Sequence, residues 1–309
     1  GTGGAGFIGS HLCDRLAERG HAIVAADNLM LGRREHIQPL ENRPDFTFVE
    51  MDVSDVAALD ALAEQHRFDS VFHLAANSDI GRSHSDPGID LTHTFATTYS
   101  VLEAMRRHAI KELVFASTSA VYGEAKGALR EDHGPLLPIS HYGAGKLASE
   151  AFISSYGENY GIRSWIARFP NVVGERSTHG ALFDWGRKLA RNPDRLEVLG
   201  DGTQIKPYLH VSDLVSAILL AWDTMDERVN VFNVGGPTRA SVRRMAEIFI
   251  EEAGGTATID YTGGDRGWVG DVPSVEYDTT KIRSIGWEPK YDSEQAVRAA
   301  ARWIIENPS

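Results

Sequence analysis

Tyr142 and Lys146 are the two residues whose types and spacing most directly indicate chemistry. They stand four positions apart, so a helix would place both side chains on one face. A tyrosine with its ordinary pKa of about 10 is a weak base at neutral pH, but a neighbouring ammonium stabilises the phenolate and lets the oxygen accept a proton. Since the same spacing arises by chance in many helices, it indicates a catalytic base only where further parts of a site accompany it.

A cluster of hydroxyl residues forms the second part of the candidate site. Ser117, Thr118 and Ser119 follow directly on the apolar run Leu113–Phe115, and ligands gather at the carboxyl ends of parallel strands. A hydroxyl there could hydrogen-bond the oxygen of a reacting sugar or carbonyl and assist proton transfer. Taken alone, the cluster is explained equally well by an ordinary Ser/Thr turn.

Three glycines, Gly3, Gly6 and Gly9, precede a helical pattern at the beginning of the sequence. Their spacing permits a tight turn and a close approach of the backbone to a pyrophosphate, which then meets the free N–H groups of the helix amino end. The pattern therefore predicts dinucleotide binding. No apolar run precedes the glycines, so we also expect the first strand of the sheet to be missing from this sequence.

Asp27 indicates which dinucleotide is bound. It ends the run that follows the first helix, 18 residues beyond Gly9. A carboxylate at this place accepts hydrogen bonds from the ribose hydroxyls and repels a 2′-phosphate, which favours NAD over NADP. Arg33 and Arg34 follow closely enough to keep NADP as an alternative.

Short apolar runs alternate with helical patterns up to about residue 170. The expected strands are His21–Ala26, Phe46–Met51, Ser70–Ala75, Glu112–Ala116 and Arg163–Phe169, and the expected helices are Ser10–Arg19, Ala57–His66, Thr92–His108 and Tyr142–Tyr160. This alternation predicts an α/β fold, a Rossmann-type doubly wound parallel sheet with helices on both faces.

The sequence changes in character after residue 170, where Gly, Pro and Asn become frequent. We expect residues 1–170 to form the NAD-binding domain and residues 171–309 to form a smaller C-terminal substrate-binding lobe. The Asp213–Met225 helix and the Val229–Val234 strand, within about 205–235, should rejoin the first sheet. Helices near Ser241–Ala253 and Ser293–Ile305 should fill the rest of the lobe.

Composition argues against several classes of protein. The net charge of −12 and the lack of Lys/Arg runs argue against a nucleic-acid surface. No apolar run reaches the ~18 residues of a membrane span, and no signal segment is expected. A single cysteine, Cys13, fits a reducing compartment, so we expect a cytoplasmic protein. The histidines show no metal-ligand spacing, no metal site is expected, and His73 should be a core residue.

These motifs together resemble those of the extended short-chain dehydrogenase/reductases, and most closely the nucleotide-sugar epimerases of the UDP-glucose 4-epimerase type. The resemblance covers nearly the whole chain. Beyond the glycines and the Tyr142/Lys146 pair, it rests on Asp52-Val53, Leu74-Ala75-Ala76, the stretches 168–174 and 210–213, Arg266 with Gly270-Asp271, and the stretch 285–289. Several motifs in the same order are far more specific than any single one.

The resemblance implies a role for each of these residues. Tyr142 would be the base, Lys146 would bind the nicotinamide ribose, and Thr118 would be the catalytic Ser/Thr. The NAD site would be lined by Gly3, Gly6, Phe7, Ile8, Gly9, Asp27, Asn28, Asp52, Val53, Leu74, Ala75, Ala76, Tyr142 and Lys146. The sugar nucleotide would be held by Thr118, Asn171, Lys206 and Arg266, with Arg266 on the diphosphate, which suits a guanidinium fork.

Four positions refine this interpretation. Thr94 stands where the family usually has an asparagine near the cofactor, and Lys206 stands where an arginine is common, so a point charge would replace a phosphate fork. Nucleotide-sugar 4,6-dehydratases have an acidic pair after the threonine, and UDP-glucuronate decarboxylases have a glutamate two residues after it. Here those positions are Ser119 and Ala120, which cannot act as acid or base. Dehydration and decarboxylation are therefore disfavoured.

The resemblance implies an isomerase, an NAD-dependent epimerase that inverts carbon 4 of a UDP-hexose through a transient 4-keto sugar, with UDP-glucose and UDP-galactose as the expected pair. One alternative is another NAD-dependent oxidoreductase or epimerase acting on UDP-glucuronate or a UDP-N-acetylhexosamine. A second is a non-catalytic nucleotide-binding module. The family also implies a homodimer formed through the helices Thr92–His108 and Tyr142–Tyr160.

Overall fold

The computed structural model describes residues 1–78, 80–264, 266–267, 272 and 276–308, and of residues 80–82 only the backbone. The strands are β1 Ile23–Asp27, β2 Phe46–Glu50, β3 Ser70–His73, β4 Glu112–Ala116, β5 Ala128–Leu129, β6 Arg163–Arg168, β7 Asn171–Val173, β8 Arg195–Val198, β9 Ile205–Lys206, β10 Tyr208–His210, β11 Val229–Asn233, β12 Ala240–Ser241, β13 Thr258–Tyr261 and β14 Glu276–Tyr277.

The α-helices are α1 Phe7–Glu18, α2 Val56–His66, α3 Ile80–Ser85, α4 Gly88–Asp90, α5 Thr97–Arg107, α6 His141–Tyr160, α7 Ala181–Arg191, α8 Val211–Thr224, α9 Val242–Glu252, α10 Thr280–Ser284 and α11 Ser293–Glu306. A π-helical segment, Leu91–Ala96, joins α4 to α5. Single 3-10 turns cover Arg34–His36, Gln38–Leu40 and Ser119–Tyr122.

The central sheet is parallel. β2 pairs with β1, and β3, β4, β6 and β11 pair in that order. Thr2 lies between the two groups of strands and bridges Ala26 on one side and His73 on the other, both in parallel register. Whether a full strand belongs at this place stays a prediction.

Helices cover both faces of the sheet, as expected for a doubly wound fold. Strand β4 shows the two faces, because Val114 belongs to the core cluster under α1 and α8, whereas Leu113 and Phe115 belong to the cluster under α2, α5 and α6. Side chains alternate across a strand, so one residue step changes the face. Apolar residues on both faces of one strand explain why its sequence is an unbroken apolar run.

The second lobe has its own core, in which Trp185, Phe249 and Ile304 join α7, α9 and α11. The chain crosses back to the central sheet, since β11 pairs with β6 and α8 packs on α1. Ile282 and Trp287, far along the chain, also pack into the core beneath α1 and α8. The boundary expected near residue 170 stays a prediction. In the described part of the chain, no helix is long and apolar enough to cross a membrane.

Candidate active site

A cavity of about 720 Å³ opens at the carboxyl ends of the central strands and continues into the second lobe. It brings together every residue expected in the site except Arg266. The lining includes Gly3, Gly6, Phe7, Ile8, Gly9, Asp27, Asn28, Asp52, Val53, Leu74, Ala75, Ala76, Thr118, Tyr142, Lys146, Asn171 and Lys206.

The glycine loop at one end of the cavity is a cradle that side chains would fill. A Cβ on Gly9 would lie 1.9 Å from the carbonyl oxygen of Gly3, and a Cβ on Gly3 would lie 2.8 Å from the amide nitrogen of Ala75. Gly3 also has a φ of +70°, which glycine adopts at little cost. The bare backbone leads into the amino end of α1, so a pyrophosphate fits this loop.

Cys13 lies beneath this loop on α1. Its thiol is buried, with Sγ 3.9 Å from the carbonyl oxygen of Gly4. Burial raises the pKa of the thiol to about 11, so the sulfur stays protonated and helps to hold the first helix against the sheet.

Asp27 ends β1 beside the glycine loop. Its carboxylate accepts hydrogen bonds from the backbone N–H of Ala5 (3.0 Å) and of Leu29 (2.9 Å), and burial raises the pKa of the carboxyl. Each oxygen keeps a lone pair for the hydroxyls of a ribose. The Arg34 guanidinium pairs with Glu41 at 2.8 Å. That pairing favours NAD, since a 2′-phosphate would compete with Glu41 for this arginine.

Helix α6 begins immediately before Tyr142, because the Ser140 hydroxyl caps it by accepting the N–H of Gly143 at 3.1 Å. One turn later the Lys146 ammonium donates to the carbonyl oxygen of Ala116 at 2.7 Å, and it lies 5.9 Å from the centre of the Tyr142 ring. The predicted one-faced arrangement of these two side chains is therefore observed.

Burial governs the proton affinities of Tyr142 and Lys146. It raises the pKa of the phenol to about 12, although a hydrogen bond with Thr118 acts in the opposite direction. It lowers the pKa of the lysine to about 7, although the nearby carboxylates Glu150 and Asp90 counteract the effect. Proton transfer from a substrate to Tyr142 therefore requires positive charge beside the phenol.

Thr118 is held by the 3-10 turn that follows it. Its hydroxyl accepts the N–H of Ala120 at 3.2 Å. The preceding Ser117 hydroxyl donates to Glu150 at 2.5 Å, and Glu150 forms a buried ion pair with Arg168 at 2.6 Å. This pair links the end of β4 to α6 and β6, which fixes the threonine relative to the catalytic helix.

The opposite wall of the cavity is where the sugar nucleotide is expected. Asn171 begins β7 and lines the cavity, and Lys206, which is almost fully buried, lines it from β9. Arg266 pairs with Glu124 at 2.5 Å and is not among the residues that line the cavity, so its contact with a diphosphate stays a prediction. Gly270 and Asp271 lie outside the described residues.

Residues 2–235 match the sequence profile of the family described as NAD dependent epimerase/dehydratase. The chain belongs to that family. It is 32% identical to the UDP-glucose 4-epimerase of Halalkalibacterium halodurans, over 99% of this chain and 95% of that protein. The predicted family and the predicted cofactor, NAD, are confirmed.

Two solved structures show the same architecture. A UDP-galactose 4-epimerase is 36% identical with a TM-score of 0.88, covering 100% of this chain and 98% of that one. The UDP-glucuronic acid 4-epimerase of Bacillus cereus, in complex with UDP-glucuronic acid and NAD, is 28% identical with a TM-score of 0.89, covering 99% and 98%. The predicted Rossmann-type fold is confirmed.

Thr94, the expected counterpart of a cofactor-proximal asparagine, lies in the interior of the protein. Its side chain is fully buried in the π-helical segment, and its hydroxyl donates to Asp90 at 3.0 Å. It does not line the cavity, whereas His93 and Thr97 on either side of it do. Its polar group serves the buried carboxylate.

His73 is a core histidine, as predicted. It is fully buried under the cofactor groove, and its two ring nitrogens bond the hydroxyls of Thr2 (2.6 Å) and Thr98 (3.1 Å). Burial lowers its pKa to about 3, so the ring stays neutral. No group of three or more His, Cys, Asp or Glu side chains within the described ranges could hold a metal ion.

Sequence reasoning missed several residues that this family member places around the cavity. Met30 and Gly32 line the cavity near Asp27, and Pro170 lines it next to Asn171. Gly32 is a glycine for a reason that appears only in the fold, since a Cβ there would lie 2.8 Å from the Asp27 carboxylate. Asp90 had no sequence signal either, because its burial results from packing between distant segments.

Proposed function

We propose that this protein is an NAD-dependent isomerase that inverts carbon 4 of a UDP-hexose and interconverts UDP-glucose and UDP-galactose. The observation that carries the proposal is the joint placement of Tyr142, Thr118 and Lys146 on one cavity that runs from a dinucleotide cradle into the second lobe. A sugar bound between the two lobes would meet the phenol and the threonine hydroxyl together.

Tyr142 accepts the proton of the 4-hydroxyl, and Thr118 hydrogen-bonds the same oxygen as its charge develops. When bound, NAD supplies the oxidising and reducing power at carbon 4, together with a positive charge that favours the phenolate. The Lys146 ammonium, 5.9 Å from the centre of the Tyr142 ring, adds a second positive charge near the phenol. Once the 4-keto sugar has rotated in the cavity and presents its other face, Tyr142 returns the proton to the oxygen on carbon 4, which gives the other epimer.

Ser119 and Ala120 support epimerisation over elimination. Both belong to the 3-10 turn that ends at Tyr122, and both line the cavity. Neither side chain can remove a carbon-bound proton or protonate a leaving hydroxyl at neutral pH. The keto sugar therefore meets no second acid or base in this turn, and its fate is to be reduced again.

UDP-glucuronate is a second candidate substrate. Lys206 is favourable to it, since this almost fully buried cation lines the sugar side of the cavity and a uronate carries a carboxylate that a UDP-hexose lacks. The similarity to the Bacillus cereus UDP-glucuronic acid 4-epimerase points the same way.

The purified protein should be incubated with UDP-glucose, UDP-glucuronate and their N-acetyl analogues, and the epimers resolved by NMR. We expect the UDP-glucose/UDP-galactose pair to equilibrate with bound NAD and no net NADH. The Tyr142→Phe variant should retain NAD and lose about 10³-fold in kcat, since it loses its proton acceptor. Unchanged epimerisation in that variant would refute the mechanism, and net NADH formation would indicate an oxidoreductase.

We further propose a homodimer formed through α5 and α6. Tyr99 and Phe152 are large, about two-fifths exposed and in edge-to-face contact across these helices, with ring centres 6.2 Å apart. Phe95 packs on Phe152 at 5.1 Å. An exposed aromatic patch of this kind fits a partner surface. Light scattering should give twice the chain mass, and Phe152→Glu should give the monomer.

The single buried thiol, Cys13, is in keeping with a cytoplasmic location.

A further inference from the structure

Asp90 is a buried carboxylate that the proposed mechanism does not use. Only 1% of its surface is exposed. Its Oδ1 accepts hydrogen bonds from the Asn77 amide (3.1 Å) and the Thr94 hydroxyl (3.0 Å). Its Oδ2 is buried with no hydrogen-bond donor in the described part of the chain. An anion in this condition is costly to bury unless a positive charge compensates for it.

Asp90 belongs to a segment that packs against the catalytic helix α6. A Cβ on Gly145 would lie 3.4 Å from the carbonyl oxygen of Asp90 and 3.1 Å from the Thr94 methyl carbon, so the two segments are in direct contact next to Lys146. On the other side, Asn77 follows the cofactor-lining residues 74–76. Asp90 is therefore enclosed between the segment that follows β3 and the catalytic helix α6.

Among the described side chains, the charges around α6 leave one cation for Asp90. Glu150 is matched by Arg168, with which it forms a buried ion pair at 2.6 Å. Lys146 is 2% exposed, and its ammonium donates to the uncharged carbonyl of Ala116 and to no carboxylate in the described part of the chain. A buried cation on α6 and a buried anion on a segment that contacts α6 beside it thus each lack a charged hydrogen-bond partner among the described side chains.

We infer that Asp90 is a positioning residue, whose carboxylate is the counter-charge that keeps the Lys146 ammonium in the active site. It acts through space and contacts neither the substrate nor the phenol. Its negative charge favours the protonated lysine, which burial alone would neutralise, and it also favours the protonated form of Tyr142. Thr94 and Asn77 hold the carboxylate in place by sharing one of its oxygens.

Among the described side chains, the titratable groups around this arrangement are Tyr142, Lys146 and Glu150 on α6. His93 on the π-helical segment interacts electrostatically with Asp52. Removing the charge of Asp90 lowers the proton affinity of both Tyr142 and Lys146. The ammonium is then lost at lower pH, and the phenolate forms at lower pH. Both limbs of the pH profile of kcat move in the same direction.

The first test compares Asp90→Asn with Thr94→Val in the NAD-loaded enzyme. The asparagine keeps an oxygen for Asn77 and Thr94 but removes the charge, whereas the valine removes one hydrogen bond and keeps the charge. We expect both limbs of the profile to move down by about one pH unit in Asp90→Asn and to stay in place in Thr94→Val. Equal shifts in the two variants, or no shift in Asp90→Asn, would overturn the inference.

The second test does not depend on activity. Lys146→Met should lower the denaturant midpoint of unfolding, because it leaves Asp90 as an uncompensated buried charge. Adding Asp90→Asn to it should recover part of that loss, and additive losses in the double variant would count against a charge pair. The kinetic test rests on the proposed function, whereas this cycle does not. If the double variant shows the coupling but the wild type does not epimerise UDP-sugars, the charge pair of Asp90 stands and the proposed reaction is refuted.

Discussion

The nucleotide half and the sugar half of the cavity are built in different ways. The nucleotide half consists of bare glycine backbone and short side chains at the ends of β1, β3 and β4, all within one parallel sheet. The sugar half draws on two-residue strands such as β9 and on the loop residues 177–180. Strand register therefore dictates the first half, whereas contacts between distant segments build the second. We expect mutations in the first half to affect folding and cofactor binding together, and those in the second to affect the substrate alone.

The largest effect is expected at Gly9. In Gly9→Ala the new methyl group would overlap the Gly3 carbonyl, 1.9 Å away, and backbone cannot move aside as a side chain can. We expect a loss of more than about 3 kcal/mol in the free energy of unfolding, with NAD binding abolished. Calorimetry and NAD titration measure both quantities.

Gly236→Ala is the matched control, since the nearest atom to its new methyl group is the Tyr208 carbonyl oxygen at 3.5 Å, an ordinary contact. It should keep both stability and NAD. If Gly9→Ala behaved like this control, the glycine loop would not be the tight cradle described above.

Asp27→Asn should weaken NAD binding by about 10- to 100-fold, the range for hydrogen bonds to a charged group. The amide offers only one oxygen where the carboxylate offers two, so the N–H groups of Ala5 and Leu29 would compete with the ribose for it. The preference for NAD over NADP should also narrow, because the repelling charge is gone. Fluorescence titration with the two dinucleotides measures both effects. An unchanged NAD affinity would place the ribose elsewhere.

Lys206→Gln tests the sugar half. We expect KM for the UDP-sugar to rise about tenfold, with kcat and NAD affinity unchanged, because the lysine lines the cavity from β9 whereas Tyr142 lines it from α6. Lys126→Gln changes the net charge equally at an exposed position and should leave KM unchanged. A fall in the kcat of Lys206→Gln would mean that the two halves are not separable.

The smallest effect at neutral pH concerns His73, whose protonation matters only in acid. Its pKa lies at about 3 in the folded protein against 6.5 for the free side chain, so the unfolded chain binds a proton that the folded one does not. The contribution of the neutral His73 ring to the free energy of unfolding is complete above pH 6.5. It is lost as the pH falls toward 3, by at most about 1.4 kcal/mol per pH unit. His73→Gln should flatten the decline of the unfolding free energy between pH 6.5 and 4.

The same change at the exposed His141 is the control for His73→Gln and should leave that decline as it is. Parallel pH profiles for the wild type and His73→Gln would contradict the pKa assigned to the buried ring.

Local sequence patterns predicted the nucleotide half well. Every expected strand of the central sheet is present within a few residues of its predicted bounds, because apolar runs and helical spacing are properties of neighbouring residues. Tyr142 and Lys146 could be placed on one face for the same reason. Thr94 was expected only to depart from a family pattern, and its actual partner, Asp90, became visible only in the fold.

Contacts between residues far apart in the chain were the part that the sequence did not predict. Arg266 and Glu124 are 142 residues apart in the chain, and nothing in either segment indicates the other. Asp90 is similar, since its burial needs α6 on one side and the turn around Asn77 on the other. Spacing along the chain can identify a candidate ion, but only the folded chain determines which charges are matched.

The reactivity of Cys13 can report how often the nucleotide half opens. As the single thiol of the chain, buried under Gly4 and protonated at neutral pH, it can react with an alkylating reagent only in molecules whose first helix has lifted from the sheet. The rate of alkylation therefore measures the frequency of those openings without any engineered probe. A dinucleotide bound at the glycine loop should lower the alkylation rate in proportion to its occupancy. A sugar nucleotide bound across the cavity should leave that rate nearly unchanged.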